Sequence, residues 1–372
     1  MNKQRHTDVI IIGGGIIGCS IAYHLSRKNV HCFVFDSSVI GGEASSASAG
    51  MLGAMMETDA PGPLVDLCLA SQKKYVDLAG LLYEETGIDI EYVTSGTIGV
   101  ARNDQEKRDL YKKFEWAKSL GQEVEWLEGK DLKGLEPLLN EQLPGGIHIP
   151  GDHQVNSSKV TMAFQLGASM RGAKFFARTP VYQLAVKSGK VIGVETASGL
   201  YTADKVVLAA GSWSPALLRP LGISLPVYPV KGQCYSAILP SPLRKSIFAQ
   251  KCYLVPKKDG TILVGATQEE VGFDKETRVE AIKILHDLAI SMVPAMKEAV
   301  FIKTWAGLRP GNPNIKPFLG PLQEWNNFIL ATGHFRKGTL LSPITGEIIA
   351  SIITGEPAPI DWQPFTMQGH GL

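Results

Sequence analysis

The spacing of apolar residues at the start of the chain predicts a β-strand, a turn, a helix and a second strand. Residues 8–12 form a nearly continuous β-branched run, which is typical of a strand buried on both faces of a parallel sheet. Ile17, Ile21 and Leu25 then repeat with the spacing of one helix face, and residues 31–35 form another apolar run. This order predicts a βαβ unit.

Helix and strand patterns continue along the chain without internal repeats. Amphipathic periodicity predicts helices over residues 64–85, 104–120, 157–171 and 279–292, whereas the polar stretch 123–139 is expected to be irregular. Short apolar runs predict strands at 88–101, 180–182, 191–194, 205–211, 230–235, 252–256, 261–267, 301–305 and 328–332. Because the runs between 225 and 305 alternate and include a hairpin signal at 258–260, we expect an antiparallel sheet there.

The turn of the first βαβ unit carries the spacing G-x-G-x-x-G. Gly13 allows a tight turn, Gly15 lets a pyrophosphate approach the backbone, and Gly18 lets the helix pack closely on the strand. Asp36 ends the second strand, where a carboxylate accepts hydrogen bonds from a ribose diol. A glycine-rich structural turn is the alternative, but the strand, helix and acidic residue together favour dinucleotide binding.

The residues after this unit favour FAD over a nicotinamide cofactor. A second G-x-G-x-x-G is absent from the sequence, whereas an enzyme that reduces a flavin with NAD(P)H usually needs two such units. Residues 41–53 are almost all small, and small side chains allow backbone amides to crowd a ligand. A flexible linker is the alternative for this run.

Composition and charge exclude several functional classes. The 372 residues, at ~150 per domain, suggest two to three domains, and a formal net charge of +1 offers no field for nucleic acid or anionic membranes. Five cysteines without C-x-x-C spacing argue against a disulfide scaffold or a zinc site, so we expect no metal. No signal peptide or transmembrane run is evident, which predicts a cytoplasmic protein.

Six segments together resemble the glycine oxidase branch of the D-amino acid oxidase family, and more loosely the sarcosine oxidases. They cover nearly the whole chain in order and lie at residues 13–18, 48–54, 229–232, 252–256, 305–310 and 333–336. The resemblance implies an α/β (α+β) fold, in which an FAD-binding Rossmann-like βαβ domain carries an inserted antiparallel-sheet substrate domain. Boundaries on this basis are 1–85, 146–225 and 310–372 for the discontinuous FAD-binding domain, and 86–145 and 226–309 for the substrate-binding domain.

The resemblance also implies an activity and partners. Members of this family hold FAD non-covalently, form homotetramers, and use O2 for the oxidative deamination of glycine, sarcosine and small D-amino acids. In bacteria such enzymes supply the glycine imine for the thiazole half of thiamine, which implies a hand-off to thiazole synthase.

Site residues follow from the same resemblance, position by position. Arg309 matches the arginine that binds the substrate carboxylate, Tyr253 the tyrosine that assists it, and Arg336 a second arginine at the substrate end, with Met51 beside them. Cofactor contacts are expected from Gly13, Gly15, Ile16, Ile17, Gly18, Asp36, Ser37, Ala44, Ser45, Ala49, Gly50, Met51, Val181, His334, Phe335, Arg336, Lys337, Gly338, Thr339 and Leu340. Lys251 and Gln268 stand where a member of the family has histidine and methionine near the pocket, so the resemblance leaves substrate preference open.

Elementary chemistry supports these roles. A bidentate guanidinium–carboxylate pair orients an amino acid, and each charge-assisted hydrogen bond contributes ~1.5–3 kcal/mol. Once the α-amine is neutral, oxidation needs no protein base, and no convincing acid–base pair is evident. A strand-end salt bridge is the alternative for Arg309. The alternative functions are an amino acid dehydrogenase that passes electrons to a quinone or partner protein, and a non-catalytic FAD-bearing subunit.

Overall fold

The computed structural model describes residues 5–58 and 60–372, so residues 1–4 and Asp59 of the expected first domain lie outside it. Strands in chain order are β1 (His6–Ile12), β2 (Cys32–Phe35), β3 (Met51–Leu52), β4 (Thr97–Ala101), β5 (Glu125–Leu127), β6 (Gly145–Ile149), β7 (His153–Gln154), β8 (Lys174–Phe176), β9 (Gln183–Lys187), β10 (Lys190–Thr196), β11 (Gly199–Leu208), β12 (Tyr228–Ile238), β13 (Ser246–Ala249), β14 (Cys252–Pro256), β15 (Thr261–Gly265), β16 (Val300–Gly311), β17 (Phe318–Leu322) and β18 (Trp325–Thr332).

Helices in chain order are α1 (Ile16–Ser26), α2 (Ala44–Ala47), α3 (Pro63–Thr86), α4 (Asp104–Ser119), α5 (Lys130–Leu135), α6 (Ser157–Met170), α7 (Ser214–Leu218), α8 (Val279–Met292) and α9 (Gly338–Thr354). None of these helices combines the length and apolar character needed to span a membrane, within the residues described.

One sheet is built on the opening βαβ unit. Within the described ranges its main path is β17-β18-β11-β1-β2-β8, and β10 and β9 extend from β11. The pairs β18–β11, β11–β1, β1–β2 and β2–β8 are parallel. The α/β fold expected from the sequence is thereby confirmed.

Alternate residues of β1 enter different cores, because successive side chains point to opposite faces of a strand. Val9 and Ile11 pack with helices α1, α3, α6 and α9 on one face. Ile10 and Ile12 pack on the other face against residues of β9, β10 and the segment 217–227. Burial on both faces explains why this strand lacks an apolar–polar alternation.

A second sheet is formed by strands between residues 97 and 311 and runs β16-β12-β15-β14-β13-β4-β6-β5 in the described part. Its pairs are antiparallel except β13–β4, which is parallel. Helix α8 packs on one face through Leu285, Ala289 and Met292. The predicted antiparallel sheet and the hairpin at 258–260 are confirmed.

Several predicted elements differ in extent. The strand expected over 88–101 is reduced to β4, because Glu91 and Gly96 adopt positive φ values of 57° and 76°, which extended strands do not contain. Residues 180–182 are not a strand, since β9 begins at Gln183. The region 123–139, expected to be irregular, contains β5 and α5.

Candidate active site

A cavity of about 640 Å³ lies between the two sheets. It extends from the carboxyl ends of β1 and β2, past the start of α1, to the facing strands β12 and β16. The carboxyl edge of a parallel sheet is the usual place for a bound nucleotide, because helix N-termini converge there.

The three motif glycines have different surroundings. A Cβ at Gly13, whose φ is +106°, would lie 2.4 Å from the Ala209 carbonyl oxygen, and a Cβ at Gly18 would lie 1.9 Å from the Gly13 oxygen. A Cβ at Gly15 would meet only the Ser45 hydroxyl, at 3.3 Å. Gly13 and Gly18 therefore allow close backbone packing, whereas Gly15 faces the cavity.

The Asp36 carboxylate binds the backbone of the glycine turn and of the residues that follow β2. Its Oδ2 accepts a 2.7 Å hydrogen bond from the Gly14 amide, and its Oδ1 accepts one of 2.7 Å from the Ser38 amide. These bonds orient the carboxylate at the cavity wall and leave acceptor lone pairs for a diol.

The run of small residues folds back over the start of α1. It forms α2 and β3, and the Ser45 hydroxyl accepts a 2.9 Å hydrogen bond from the Ile16 amide. Ser48 Oγ lies 3.1 Å from Thr339 Oγ1, which joins the run to α9. The run is therefore a structured part of the cavity wall and not a linker.

A second wall comes from the turn before α9. His334 is buried, its Nε2 lies 3.0 Å from Thr345 Oγ1, and burial lowers its pKa to about 3, so the ring is uncharged. Phe335, Gly338 and Thr339 follow it along the cavity. Arg336 lines the cavity from an exposed position.

Arg309 and Tyr253 lie together at the end of the cavity formed by the second sheet. Arg309 Nη1 donates a 3.0 Å hydrogen bond to the Thr267 carbonyl, and its guanidinium lies against Gly232, where a Cβ would be 2.3 Å from Nη1. The Tyr253 hydroxyl lies 3.8 Å from Cys234 Sγ, and loss of solvation raises its pKa well above the usual value. The pair therefore offers a cation and a protonated phenol.

Most of the residues expected from the sequence line this one cavity. They are Gly13, Gly15, Ile16, Ile17, Asp36, Ser37, Ala44, Ser45, Ala49, Gly50, Met51, Val181, Tyr253, Arg309, His334, Phe335, Arg336, Gly338 and Thr339. A dinucleotide fits this arrangement, since the open space at Gly15, the Asp36 carboxylate and the start of α1 lie along one continuous wall.

Three of the expected cofactor residues are not among those that line the cavity. Gly18 packs α1 against the turn, and Lys337 is buried with its Nζ donating a 2.6 Å hydrogen bond to the Glu57 carbonyl. Leu340 enters the apolar core instead. Lys251 and Gln268 are exposed and also lie outside the lining.

Sequence reasoning assigned no role to several residues that line the cavity. Glu57 follows the small-residue run 41–53, and Trp213 follows the small residues 209–212, but neither belongs to a motif with a characteristic spacing. Gly232 is the last residue of the resemblance segment at 229–232 and Cys234 lies two residues beyond it, so that segment was the signal for both. In the described residues, no group of three or more His, Cys, Asp or Glu is arranged to hold a metal.

Comparison with known proteins identifies relatives that span the whole chain. The family model described as FAD dependent oxidoreductase matches residues 8–352. A glycine oxidase of Geobacillus kaustophilus is 37% identical over 367 residues, which are 98% of this chain and 97% of that protein. The crystal structure of glycine oxidase from Geobacillus kaustophilus superimposes with a TM-score of 0.94 at 36% identity, covering 98% of each chain.

A longer relative contains a region similar to this chain. The bifunctional protein ThiO/ThiG of Synechocystis is 36% identical over 357 residues, which cover 94% of this chain but 52% of that protein.

Proposed function

The chain belongs to the family of FAD-dependent oxidoreductases as an FAD-dependent amino acid oxidase, and from this premise we propose that it deaminates glycine and other small amines. Sarcosine and small D-amino acids are the other proposed substrates. The proposed products are H2O2 and an imine, which is hydrolysed to glyoxylate and ammonia when glycine is the substrate.

The observation that carries this proposal is the position of Arg309 and Tyr253. Both face the cavity that Gly15 and Asp36 also line, so a carboxylate bound by Arg309 would lie within the same space as the cofactor. A guanidinium orients a carboxylate through two parallel hydrogen bonds, and a phenol donates a third. We propose that Met51 and Arg336 also line the part of the cavity that holds the substrate.

FAD held by the residues that line the cavity would supply the acceptor for a hydride from the substrate Cα, with O2 as the final electron acceptor. The chain's own part is to bind, orient and desolvate the amino acid. Arg309 and Tyr253 fix the carboxylate, and the apolar side chains of Met51 and Val255 belong to a buried cluster beside Tyr253 that keeps water away. No side chain is required as a base once the α-amine is neutral.

We propose the expected residues as cofactor contacts in two groups. Gly13, Gly15, Ile16 and Asp36 would hold the pyrophosphate and the adenosine ribose. The small-residue run, Val181 and the residues 334–336, 338 and 339 would surround the remainder. The proposed FAD-binding domain consists of residues 1–85, 146–225 and 310–372.

Two further proposals concern partners. The family resemblance supports a hand-off of the imine to thiazole synthase, and the relation to the bifunctional protein ThiO/ThiG agrees with it. The resemblance also supports a homotetramer.

The testing experiment is oxygen uptake by the purified yellow protein with glycine, sarcosine, D-alanine and D-proline in turn. Uptake accompanied by H2O2 is expected, and the ranking of kcat/KM identifies the preferred amine. Flavin bleaching under anaerobic conditions without oxygen uptake in air would instead identify a dehydrogenase. Neither uptake nor bleaching with any of the four amines would contradict the proposed substrate class.

A further inference from the structure

Strand β12 carries two polar residues that the proposed reaction leaves without a role. Lys231 and Gln233 flank Gly232, so their side chains point away from the face on which Arg309 lies against that glycine. Their exposures are 1% and 0%. Burying such groups is unfavourable unless each finds partners, so their contacts indicate what they hold.

Both residues hold the irregular segment between β15 and α8, residues 267–278. Gln233 Nε2 donates a 2.7 Å hydrogen bond to Glu269 Oε1, and Gln233 Oε1 accepts one of 2.6 Å from the Arg278 amide. Lys231 Nζ donates a 2.9 Å hydrogen bond to Asp274 Oδ2. Side chains of β12 therefore hold the 267–278 segment at three places: near the start of the segment, in its middle and at its end.

The start of this segment contacts Arg309 directly. The Thr267 carbonyl accepts the 3.0 Å hydrogen bond from Arg309 Nη1. Thr267 Oγ1 accepts a 3.0 Å hydrogen bond from the backbone N–H of Gln233 and donates one of 2.5 Å to Glu269 Oε1. Backbone hydrogen bonds also join Thr267 and Glu269 to β12. Through Glu269 Oε1, which accepts from both Gln233 Nε2 and Thr267 Oγ1, the Gln233 side chain contributes to the position of Thr267 and of its carbonyl.

We propose that Gln233 and Lys231 are positioning residues for recognition of the substrate carboxylate, acting on Arg309 through the 267–278 segment. The inference rests on the proposed role of Arg309. Gly232 completes the arrangement on the other face of β12, because its missing side chain leaves the space that the guanidinium fills.

The test is a double-mutant cycle on FAD-loaded protein with acetate as the probe, a carboxylate that lacks the amine. Affinity for acetate is measured from the change in flavin absorption for the wild type, Gln233→Leu, Arg309→Ala and the double variant. We expect Gln233→Leu to weaken acetate about tenfold, within the range of coupled neighbours, and to add nothing in the Arg309→Ala background. Gln105→Leu, at an exposed position of α4, is the matched control.

Each outcome separates the two proposals. Wild-type affinity in Arg309→Ala would overturn the proposed function and this inference with it. A weakened Arg309→Ala beside an unaffected Gln233→Leu, or fully additive effects, would overturn the inference alone. If Gln233→Leu does not fold, Asp274→Ala releases the middle of the segment from a partly exposed position and is expected to weaken acetate in the same direction. Unchanged acetate affinity in that variant would also reject the inference.

Discussion

Arg309 is held by backbone rather than by an opposite charge. The hydrogen bond from its Nη1 goes to a carbonyl, and the glycine beneath it leaves the planar face of the guanidinium close to the strand. A cation placed in this way remains available to a carboxylate ligand, whereas an arginine within a surface salt bridge would already be engaged.

At this residue we expect Arg309→Ala to lower turnover strongly while FAD stays bound. The loss in kcat/KM should be about 30-fold to several thousand-fold, because removing one partner of a buried charged pair costs roughly 2–5 kcal/mol. Oxygen uptake and the flavin spectrum measure the two properties separately. Arg108→Ala, at an exposed position of α4, is the control, and unchanged turnover in Arg309→Ala would exclude its role in substrate binding.

Lys257 lies behind the small-residue run and has uncharged partners. Its Nζ donates to the carbonyls of Ala49 and Val155 at 2.5 and 3.2 Å and to Gln154 Oε1 at 3.0 Å. Burial lowers its pKa to about 8, against the opposing pull of Glu91 and Asp259. The lysine therefore links the cavity wall to β7 while carrying a partly destabilised charge.

The sign of its pH effect follows from this lowered pKa. Between pH 8 and 10.5 the unfolded lysine binds a proton that the folded one has released, so the free energy of unfolding should rise with pH across that window. The full change is roughly 3 kcal/mol, from about 1.4 kcal/mol per pKa unit.

Denaturant unfolding of the wild type and Lys257→Met across this window measures the effect. The variant should lack the rise, and Lys258→Met, an exposed neighbour paired with Asp89, should keep it. A constant difference between wild type and Lys257→Met at every pH would show that the charge has no such effect.

At the scale of elements, the opening βαβ unit illustrates when sequence reasoning succeeds. Its strand run, glycine spacing and helical stripe are contiguous, and each depends on contacts within about thirty residues of chain, as in βαβ units generally. Strands such as β5 and β9 carry weaker patterns, and their positions depend on pairing with β6 and β10. Tertiary pairing overrides local preference in such short segments.

Within that unit, Gly15→Val and Gly18→Val should fail in different ways. A side chain at Gly15 enters the cavity, so that variant should fold but purify without yellow colour. A side chain at Gly18 would overlap the Gly13 carbonyl, so that variant should lose stability by 1–3 kcal/mol or more, the range of typical overpacking.

Circular dichroism and the flavin absorption of the purified variants distinguish the two failures. Normal FAD content in Gly15→Val would contradict the assignment of this glycine to the cofactor wall.

For the whole molecule, the two sheets meet around the cavity and are also joined at its margin. Lys275 Nζ lies 3.0 Å from Glu43 Oε2, and the rings of Trp213 and Phe273 lie 5.4 Å apart. A ligand in the cavity contacts both sheets at once, so its binding should stabilise them together.

We therefore expect removal of FAD to lower the unfolding temperature by several degrees, since ligand at 100 times its Kd contributes about 2.7 kcal/mol. Thermal unfolding of the apoprotein, with FAD added back in steps, measures this. FMN, which lacks the adenosine part assigned to Asp36, should restore much less. Equal restoration by FMN would remove support for the Asp36 assignment.

The sequence alone predicted the cofactor end of this protein, because Gly13, Gly15 and Asp36 belong to one short unit whose geometry is set by local spacing. Resemblance extended the prediction to Arg309 and Tyr253. Only the tertiary structure decided that β4 and β6 lie in the same sheet as β12 and β16, and that Gln233 reaches Arg309 through Thr267. Such contacts join residues far apart in the chain, and their hydrogen bonds depend on strand register, which no local pattern records.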